Sequence, residues 1–562
     1  MDPIIECVPN FSEGRNPETI KQITGEIEAV PGVRLLNVDP GKATNRTVVT
    51  FVGSPQAVID AAFLAIKRAG ELIDMRSHKG EHPRMGATDV CPLIPIADIT
   101  MEETAVWAQR LAKRVGEELQ VPVYLYEAAQ ADKSRANLSV IRAGEYEGFF
   151  KKIKQPEWKP DFGPAEFDAR RGGTVIGARD FLVAYNVNLN TTSTRRANSI
   201  AFDVREAGRV LREGDPVSGK IVTDAQGKPV NVPGTLKAVK AIGWFIEEYG
   251  VAQISMNLTN IRVTPVHIAF DEVCKKATER GIRVTGSELV GLIPLQSMLE
   301  AGRYFLEKQQ RSTGVSEKEL IRIAILSMGL EDLGPFKPEE RIIEYLLRNA
   351  ADEKLISMPL RDFADETASE SPAPGGGSIS AYVGVLGASL ATMVANLSSH
   401  KKGWDSRWKE FSDWAEKGQQ YKNELIRLVD ADTRAFNAIM AGFGLPKGTP
   451  EEKAARTKAI QEATRTAIEV PFRVMEVAAE SLGLIRAMAE TGNPNSVSDA
   501  GVGALCARAA VLGAFMNVRI NASGYDDKPY VADILAKGNR IQEETLKAEA
   551  TILAIVDGKI GA

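Results

Sequence analysis
The spacing of apolar residues changes once along this chain, near residue 340. Before that point, short β-branched runs at 33–38, 46–52, 121–126, 181–189 and 254–263 read as strands. Between them, 55–73 and 101–118 carry the apolar spacing of amphipathic helices. Strands alternating with helices predict sheet layers covered by helices, an α+β fold built from two α/β-type subdomains. Residues 155–173 break both periods. Trp158-Lys159-Pro160-Asp161-Phe162-Gly163-Pro164 and the Gly172-Gly173 pair read as loop. A boundary is expected near Ala178, giving subdomains at 1–178 and 179–330 with a cleft between them.

Beyond residue 340 strand signals fade. Residues 336–349 read as a linker helix within 331–351. Asp352, Glu353, Asp362, Asp365, Glu366 and Glu370 then make an acidic stretch. Ala-rich amphipathic helices are expected at 379–398, 409–442, 450–482, 502–520 and 529–556. They are punctuated by Leu445-Pro446-Lys447-Gly448-Thr449-Pro450 and Thr491-Gly492-Asn493-Pro494-Asn495. Residues 352–562 therefore read as an all-α helical bundle. One segment tests this reading: no charged residue occurs from Ser371 to Ser399. Its length alone would allow a membrane span. Gly384, Gly387, Ser389, Thr392 and Asn396 suit close helix–helix contact instead, so a buried helix and no membrane span is expected.

Composition adds limits. At 562 residues, three or four domains are expected. The apolar fraction of 44% and charged fraction of 25% are those of a soluble globular protein. A net charge of −5 leaves no basic footprint for nucleic acid. Cys7, Cys91, Cys274 and Cys506 are scattered, and the first residues lack the basic start and apolar core of a signal peptide. Both features point to a reducing, cytoplasmic setting.

Two of the four histidines fall in His78-Lys79-Gly80-Glu81-His82-Pro83-Arg84. The literal H-x-x-E-H pattern belongs to a metalloprotease class that needs a continuous helix. Gly80 inside the motif and Pro83 after it work against that helix, so no metal is expected. A structural histidine in a polar loop is one reading. The sharper one is a general base tuned by Glu81, Arg84 and Asp89.

Here the residues carry a resemblance. The run from Arg76 to Pro95 resembles the signature of glutamate formiminotransferases. So do Cys7-Val8-Pro9-Asn10-Phe11-Ser12-Glu13-Gly14-Arg15, Asn45-Arg46-Thr47-Val48, Pro160-Asp161-Phe162-Gly163-Pro164 and Gly286-Ser287-Glu288-Leu289-Val290-Gly291-Leu292. The helical half resembles formiminotetrahydrofolate cyclodeaminases through Ala373-Pro374-Gly375-Gly376-Gly377-Ser378, Val429-Asp430-Ala431-Asp432-Thr433-Arg434-Ala435-Phe436 and Leu445-Pro446-Lys447. The order matches the fused, bifunctional family. The relatives of the helical module also include methenyltetrahydrofolate cyclohydrolases.

The resemblance implies a two-step folate chemistry in histidine degradation and one-carbon metabolism. A formimino group passes from N-formimino-L-glutamate to N5 of tetrahydrofolate, taken as a polyglutamylated co-substrate, and the adduct then closes onto N10 and releases ammonia. The family's catalytic histidine carries over onto His82. Asp39, expected just beyond a strand end, would orient its imidazolium or else is a turn residue before Pro40. Arg46, Arg84 and Arg179 are candidate clamps for substrate carboxylates, each weighed against a plain surface arginine. The segment Asp161, Phe162, Gly163 and Pro164 corresponds to the family's folate-binding loop, though alone it would be a turn.

For ring closure, Asp430 and Asp432 are the acids at hand. Residues two apart on a helix point about 200° apart, so both cannot line one pocket. Asp430 lies four from Arg434, a candidate surface pair, so Asp432 is favoured as proton acceptor with Asp430 in reserve. Gly375, Gly376, Gly377 and Ser378 precede a helix and would present backbone N–H groups to an anion, or form a plain linker turn. Asn517 and Asn521 are pocket candidates or helix–helix bonds. The uncharged helix is expected to mediate homo-oligomerisation, and a module serving only as an oligomerisation scaffold is the alternative from another class.

Overall fold
The structure, a computed structural model, describes residues 3–41, 45–80, 83–215, 218–247, 249–347 and 353–561. Glu81 and His82 lie outside the described residues. The chain divides into two compact units, residues 1–297 with 328–347, and residues 298–327 with 348–562.

The first unit opens with β1 (Ile4–Cys7), β2 (Asn10–Phe11), α1 (Pro17–Glu28), β3 (Val33–Gly41), β4 (Arg46–Gly53), α2 (Pro55–Leu72), β5 (Thr88–Ala97), α3 (Met101–Glu118), β6 (Val123–Glu127), α4 (Leu138–Ile141), α5 (Glu145–Lys152) and β7 (Thr174–Ala178). These strands form one seven-stranded sheet, with β3 on its β4 edge and β7 running parallel to β5 and β6. Local chemistry sets the helices. Asn16 accepts the N–H groups of Glu18 and Thr19 ahead of Pro17, and Thr100 and Glu103 close a reciprocal cap on α3. Strand alternation sets the core. Cys7, Phe11, Val49, Phe51, Leu93, Leu125 and Ile176 pack with α1, α2 and α3, each large side chain contributing about 1.5–3 kcal/mol. The opposite face is apolar where Tyr124, Phe149 and Val175 meet. It turns polar at Glu6 and Asn10, which pair with Val52 and Val48. β3 runs on through Asp39 and Pro40, beyond the expected end at 38. An edge strand tolerates the missing proline donor.

A second sheet follows: β8 (Val183–Leu189), α6 (Thr194–Val204), β9 (Arg209–Val210), β10 (Asn231–Val232), β11 (Val239–Ile246), β12 (Val251–Leu258), α7 (Val266–Thr278) and β13 (Val284–Val290). Its antiparallel order is β11-β12-β8-β13, while β9 and β10 pair in a separate two-stranded sheet. β12 stops at Leu258 rather than near 263 because the Asn260 carboxamide accepts the N–H groups of Arg262 and Val263 and turns the chain.

The single helix expected over 336–349 is not formed. α8 (Leu295–Lys308) and α9 (Glu317–Met328) are followed by short α10 (Pro338–Arg341) and α11 (Ile343–Leu347). They are split at Ile342, whose backbone bridges Ile293. Residues 298–327 group with the helical unit rather than with the second subdomain. Asn396 and Gln419 both donate to the Gly314 carbonyl, and Thr313 bonds Ser412. A Cβ on Gly314 would sit 2.3 Å from that of Ala415.

The helical unit continues with α12 (Leu360–Thr367), α13 (Gly376–Ser399), α14 (Trp408–Gly444), α15 (Pro450–Thr491), α16 (Val497–Ala522) and α17 (Lys528–Ile560). Among its described residues there is no strand. The core gathers Leu425, Val429, Ile468, Val511 and Phe515. Two helices are long and apolar enough to cross a membrane, 376–399 and 494–522, and their most apolar windows are 61% and 50% buried. Small residues allow this burial. A Cβ on Gly387 would stand 2.9 Å from the Gly503 carbonyl, and one on Gly418 2.0 Å from Thr392 Oγ1.

Candidate functional site
In the first unit, the loop before β5 folds back on the start of β4. The His78 Nε2 lies 2.8 Å from the Asn45 carbonyl, and its Nδ1 accepts from Arg84 Nε at 3.2 Å. A carbonyl can only accept and a guanidinium only donate, so the partners fix a neutral imidazole with its proton on Nε2. Burial first, then the Arg84 charge, hold its pKa down, against the Asn45 bond. His78 is thus committed to holding the loop. Arg84 also grips Glu147 through both terminal nitrogens, at 2.8 and 2.6 Å, and reaches Glu145 at 3.2 Å. No spacing rule in the sequence pointed to these acids.

Arg46 lies beside this loop. Its Nε donates to Asn10 at 2.7 Å and its Nη1 is 3.6 Å from Asp89. Burial pushes its pKa down to about 10, against the attraction of Asp89. Asp89, fully buried, also pairs with Arg142 and accepts the Met85 N–H at 3.0 Å. Two guanidinium groups therefore share one carboxylate. Asp39 is exposed on edge strand β3, opposite Val48. It lies inside the strand, not beyond its end.

Arg179 stands at the end of the polar face, donating to the Asp180 carbonyl at 2.9 Å and facing Glu6, Tyr126 and Glu127. Burial raises Glu6 to about 7, with Arg179 opposing. The loop Asp161 to Pro164 has a different character. The Asp161 carboxylate accepts from the Leu125 N–H at 2.8 Å, from Gln130 and from Arg135. Phe162 packs against the helix-covered core, and Gly163 holds φ +81° where a Cβ would meet the Val121 carbonyl at 2.2 Å. Internal contacts thus engage this loop. Among the described residues, no group of three His, Cys, Asp or Glu side chains is placed to hold a metal.

The helical unit separates its two aspartates as the helix angle demands. Asp430 Oδ1 and Oδ2 accept the Leu355 and Ile356 N–H groups at 2.8 and 3.2 Å. It pins the segment before α12 and lines, with Glu353, Arg427 and Arg434, a cavity of about 390 Å³. Asp432 instead meets the start of α13. Its Oδ2 accepts the Ser378 N–H at 2.9 Å and the Ser378 hydroxyl at 3.1 Å. The free N–H end of a helix favours an anion there. Burial nevertheless raises the Asp432 pKa, with the Ser378 bonds opposing. A Cβ on Gly377 would lie 2.1 Å from Asp432 Oδ1, so this glycine admits the carboxylate. A Cβ on Gly376 would lie 3.2 Å from Asn517 Nδ2, which puts that amide near the same helix start. Gly375 precedes it in extended geometry. Asn521, by contrast, donates to the Ala467 carbonyl at 2.6 Å across two helices.

Among the described residues no donor reaches Asp432 Oδ1. A carboxylate with one oxygen fixed and no donor on the other can accept a proton at a defined point and return it.

Three family models match successive stretches of the chain. Residues 4–179 match the model of the formiminotransferase domain, N-terminal subdomain, 184–348 that of the formiminotransferase domain, and 359–540 that of formiminotransferase-cyclodeaminase. A formimidoyltransferase-cyclodeaminase from Gallus gallus is 42% identical over 558 residues, covering 99% of each chain. A glutamate formimidoyltransferase from Thermoplasma acidophilum is 41% identical over 54% of this chain and 92% of its own. A methenyltetrahydrofolate cyclohydrolase from Methylorubrum extorquens is 40% identical over 34% of this chain and 91% of its own. With one relative aligned from end to end and a family model matching each part, the chain belongs to the formimidoyltransferase-cyclodeaminase family.

Proposed function
We propose that this chain transfers the formimino group of N-formimino-L-glutamate to N5 of tetrahydrofolate. It then cyclises 5-formiminotetrahydrofolate to 5,10-methenyltetrahydrofolate, releasing ammonia. In the first step N5 attacks the formimino carbon and loses its proton, and the glutamate nitrogen gains one to depart. His82 is assigned as the group that takes and returns that proton. The engagement of both His78 nitrogens supports this choice over His78. Arg46 and Arg142, gathered on Asp89, are the proposed anchors of a substrate carboxylate.

In the second step N10 attacks the same carbon, its proton passes to Asp432, and Asp432 returns it to the departing amine, which leaves as ammonia. The single observation that carries this reading is that Ser378 at the start of α13 bonds only Oδ2 of Asp432, and that among the described residues no donor reaches Oδ1. The ionised carboxylate also stabilises the cationic product. Cyclohydrolase chemistry is a second reading, favoured by the likeness to the relative of that name. Ammonia release distinguishes the two. A cytoplasmic setting is proposed from the four cysteines, all free thiols.

The test is His82→Ala in the full chain. Formimino transfer should fall by about 10²- to 10⁴-fold, while ammonia release from supplied 5-formiminotetrahydrofolate stays at the wild-type rate. Transfer near the wild-type rate would remove His82 from its role.

A further inference from the structure
Arg84 follows the assigned histidine by two residues, and the proposed chemistry gives it no task. We infer that Arg84, with Glu145, Glu147 and Asn45, forms a brace that positions His82 and itself touches no substrate. This rests on His82 being the proton carrier of the transfer step.

The donors of Arg84 are all engaged. Its Nε donates to His78 Nδ1 at 3.2 Å. Its Nη1 donates to Glu145 Oε2 at 3.2 Å and to Glu147 Oε2 at 2.8 Å. Its Nη2 donates to Glu147 Oε1 at 2.6 Å and to the His78 carbonyl at 3.4 Å. A guanidinium carries five N–H groups, and each has an acceptor here. A substrate carboxylate would find no donor left on Arg84, against the expectation that this residue clamps one. Arg84 is 6% exposed. A guanidinium gripped by both oxygens of one carboxylate is fixed in direction as well as in place.

The brace holds the loop on both sides of the histidine. Downstream, the Arg84 carbonyl accepts the Tyr146 N–H at 2.8 Å, so backbone and side chain are both tied to the start of α5. Upstream, the Asn45 carboxamide donates to the Lys79 carbonyl at 3.1 Å and accepts the Gly14 N–H at 3.0 Å. The Asn45 carbonyl meets His78 Nε2 at 2.8 Å. The chain between Lys79 and Arg84 is thus anchored at both ends.

Backbone geometry bears the same mark. Asn45 holds φ +48° and Glu145 φ +52°. Residues with side chains rarely enter this left-handed region, glutamate less readily than asparagine. Such conformations persist where surrounding contacts over-determine them, and they cluster at functional sites. Here two residues that grip the loop share one. The chemistry explains the need. The imidazole must reach first N5 and then the glutamate nitrogen, both bonded to one carbon, and a misplacement of about 1 Å costs roughly 10²-fold in rate.

The test is a cycle in the full chain: Glu147→Gln, His82→Ala and the two together, read by formimino transfer. The Glu147 side chain is 63% exposed, so its substitution opens no core. Glu147→Gln should lower the kcat of transfer by about 10- to 100-fold. The KM for formiminoglutamate and for tetrahydrofolate should move little. Glu147→Asp, which keeps the charge, should recover part of the loss. In the His82→Ala background Glu147→Gln should change nothing more, because a positioning residue acts only through the group it positions. A merely structural glutamate would cost the same factor in both backgrounds. Arg84→Lys should repeat the kcat-only loss, and Glu147→Gln carries the test if that buried substitution folds poorly. A raised KM for formiminoglutamate, additive losses in the double variant, or an unchanged kcat in Glu147→Gln each overturns the brace. Transfer near the wild-type rate in His82→Ala alone would instead overturn the proposed function.

Discussion

At the scale of single residues, two aspartates one turn-half apart carry opposite consequences. Asp432→Asn should abolish cyclisation and leave transfer intact, so that 5-formiminotetrahydrofolate accumulates in a coupled assay. Asn keeps the shape that meets Ser378 but accepts no proton at neutral pH. Asp430→Ala should instead lower stability. It strands two backbone N–H groups, at about 1–3 kcal/mol each, and should leave the cyclisation kcat within a few-fold. Thermal unfolding and ammonia release, measured on both variants, check the pair, and a larger loss of activity in Asp430→Ala would reverse the assignment. Glu6 supplies a pH prediction. Its pKa in the folded chain is raised from 4.5 to about 7. Its contribution is therefore fully present below about 4.5 and lost as pH rises through 7. At pH 8 the buried, ionised carboxylate weakens the fold, so Glu6→Gln should be more stable than wild type there, by at most about 3 kcal/mol. The gain should vanish below pH 5, as denaturant titrations at the two pH values would show.

At the scale of elements, small residues decide how α13 and α16 pack. A Cβ on Gly387 would press on the Gly503 carbonyl at 2.9 Å, with Cys506 Cβ at 3.1 Å. Backbone yields less readily than a flexible side chain, so Gly387→Ala should destabilise the helical unit by about 1–3 kcal/mol despite its gain in helix propensity. A rise in melting temperature would show that the helices separate without cost. The same substitution at Gly483, where a Cβ meets nothing within 4 Å, should stabilise α15 by up to about 1 kcal/mol. The two variants together separate packing from propensity.

At the scale of the whole molecule, the helical unit leaves apolar side chains uncovered. Leu386, Met393 and Leu397 on α13 are 44%, 39% and 46% exposed, and Met516 and Ile520 on α16 are 60% and 70% exposed. These are the two helices with the most apolar windows, and a second copy of the chain is the proposed cover. Sedimentation of the full chain should show an oligomer that Leu386→Glu with Leu397→Glu weakens. A monomer at micromolar concentration with full cyclisation activity would contradict this.

The division into sheet-bearing and helical parts was legible in the chain itself, because the spacing of apolar residues records which faces each element buries. The separation of Asp430 from Asp432 was legible for the same reason, since a helix turns by a fixed angle at each residue. Other features depended on residues distant in sequence. That Gly314 packs on Ala415, drawing 298–327 to the helical unit, is invisible to local patterning. So is the clamp of Arg46 and Arg142 on Asp89, and so are the two glutamates on Arg84. The Asp161–Pro164 segment shows the limit most plainly: its residues suggest a turn in any context, but only the donors brought around Asp161 make it a clasp on β6. Sequence determined the period, and so the kind of element. Tertiary structure decided which polar groups meet, because burial, and the partners that make burial tolerable, arise only when distant segments converge.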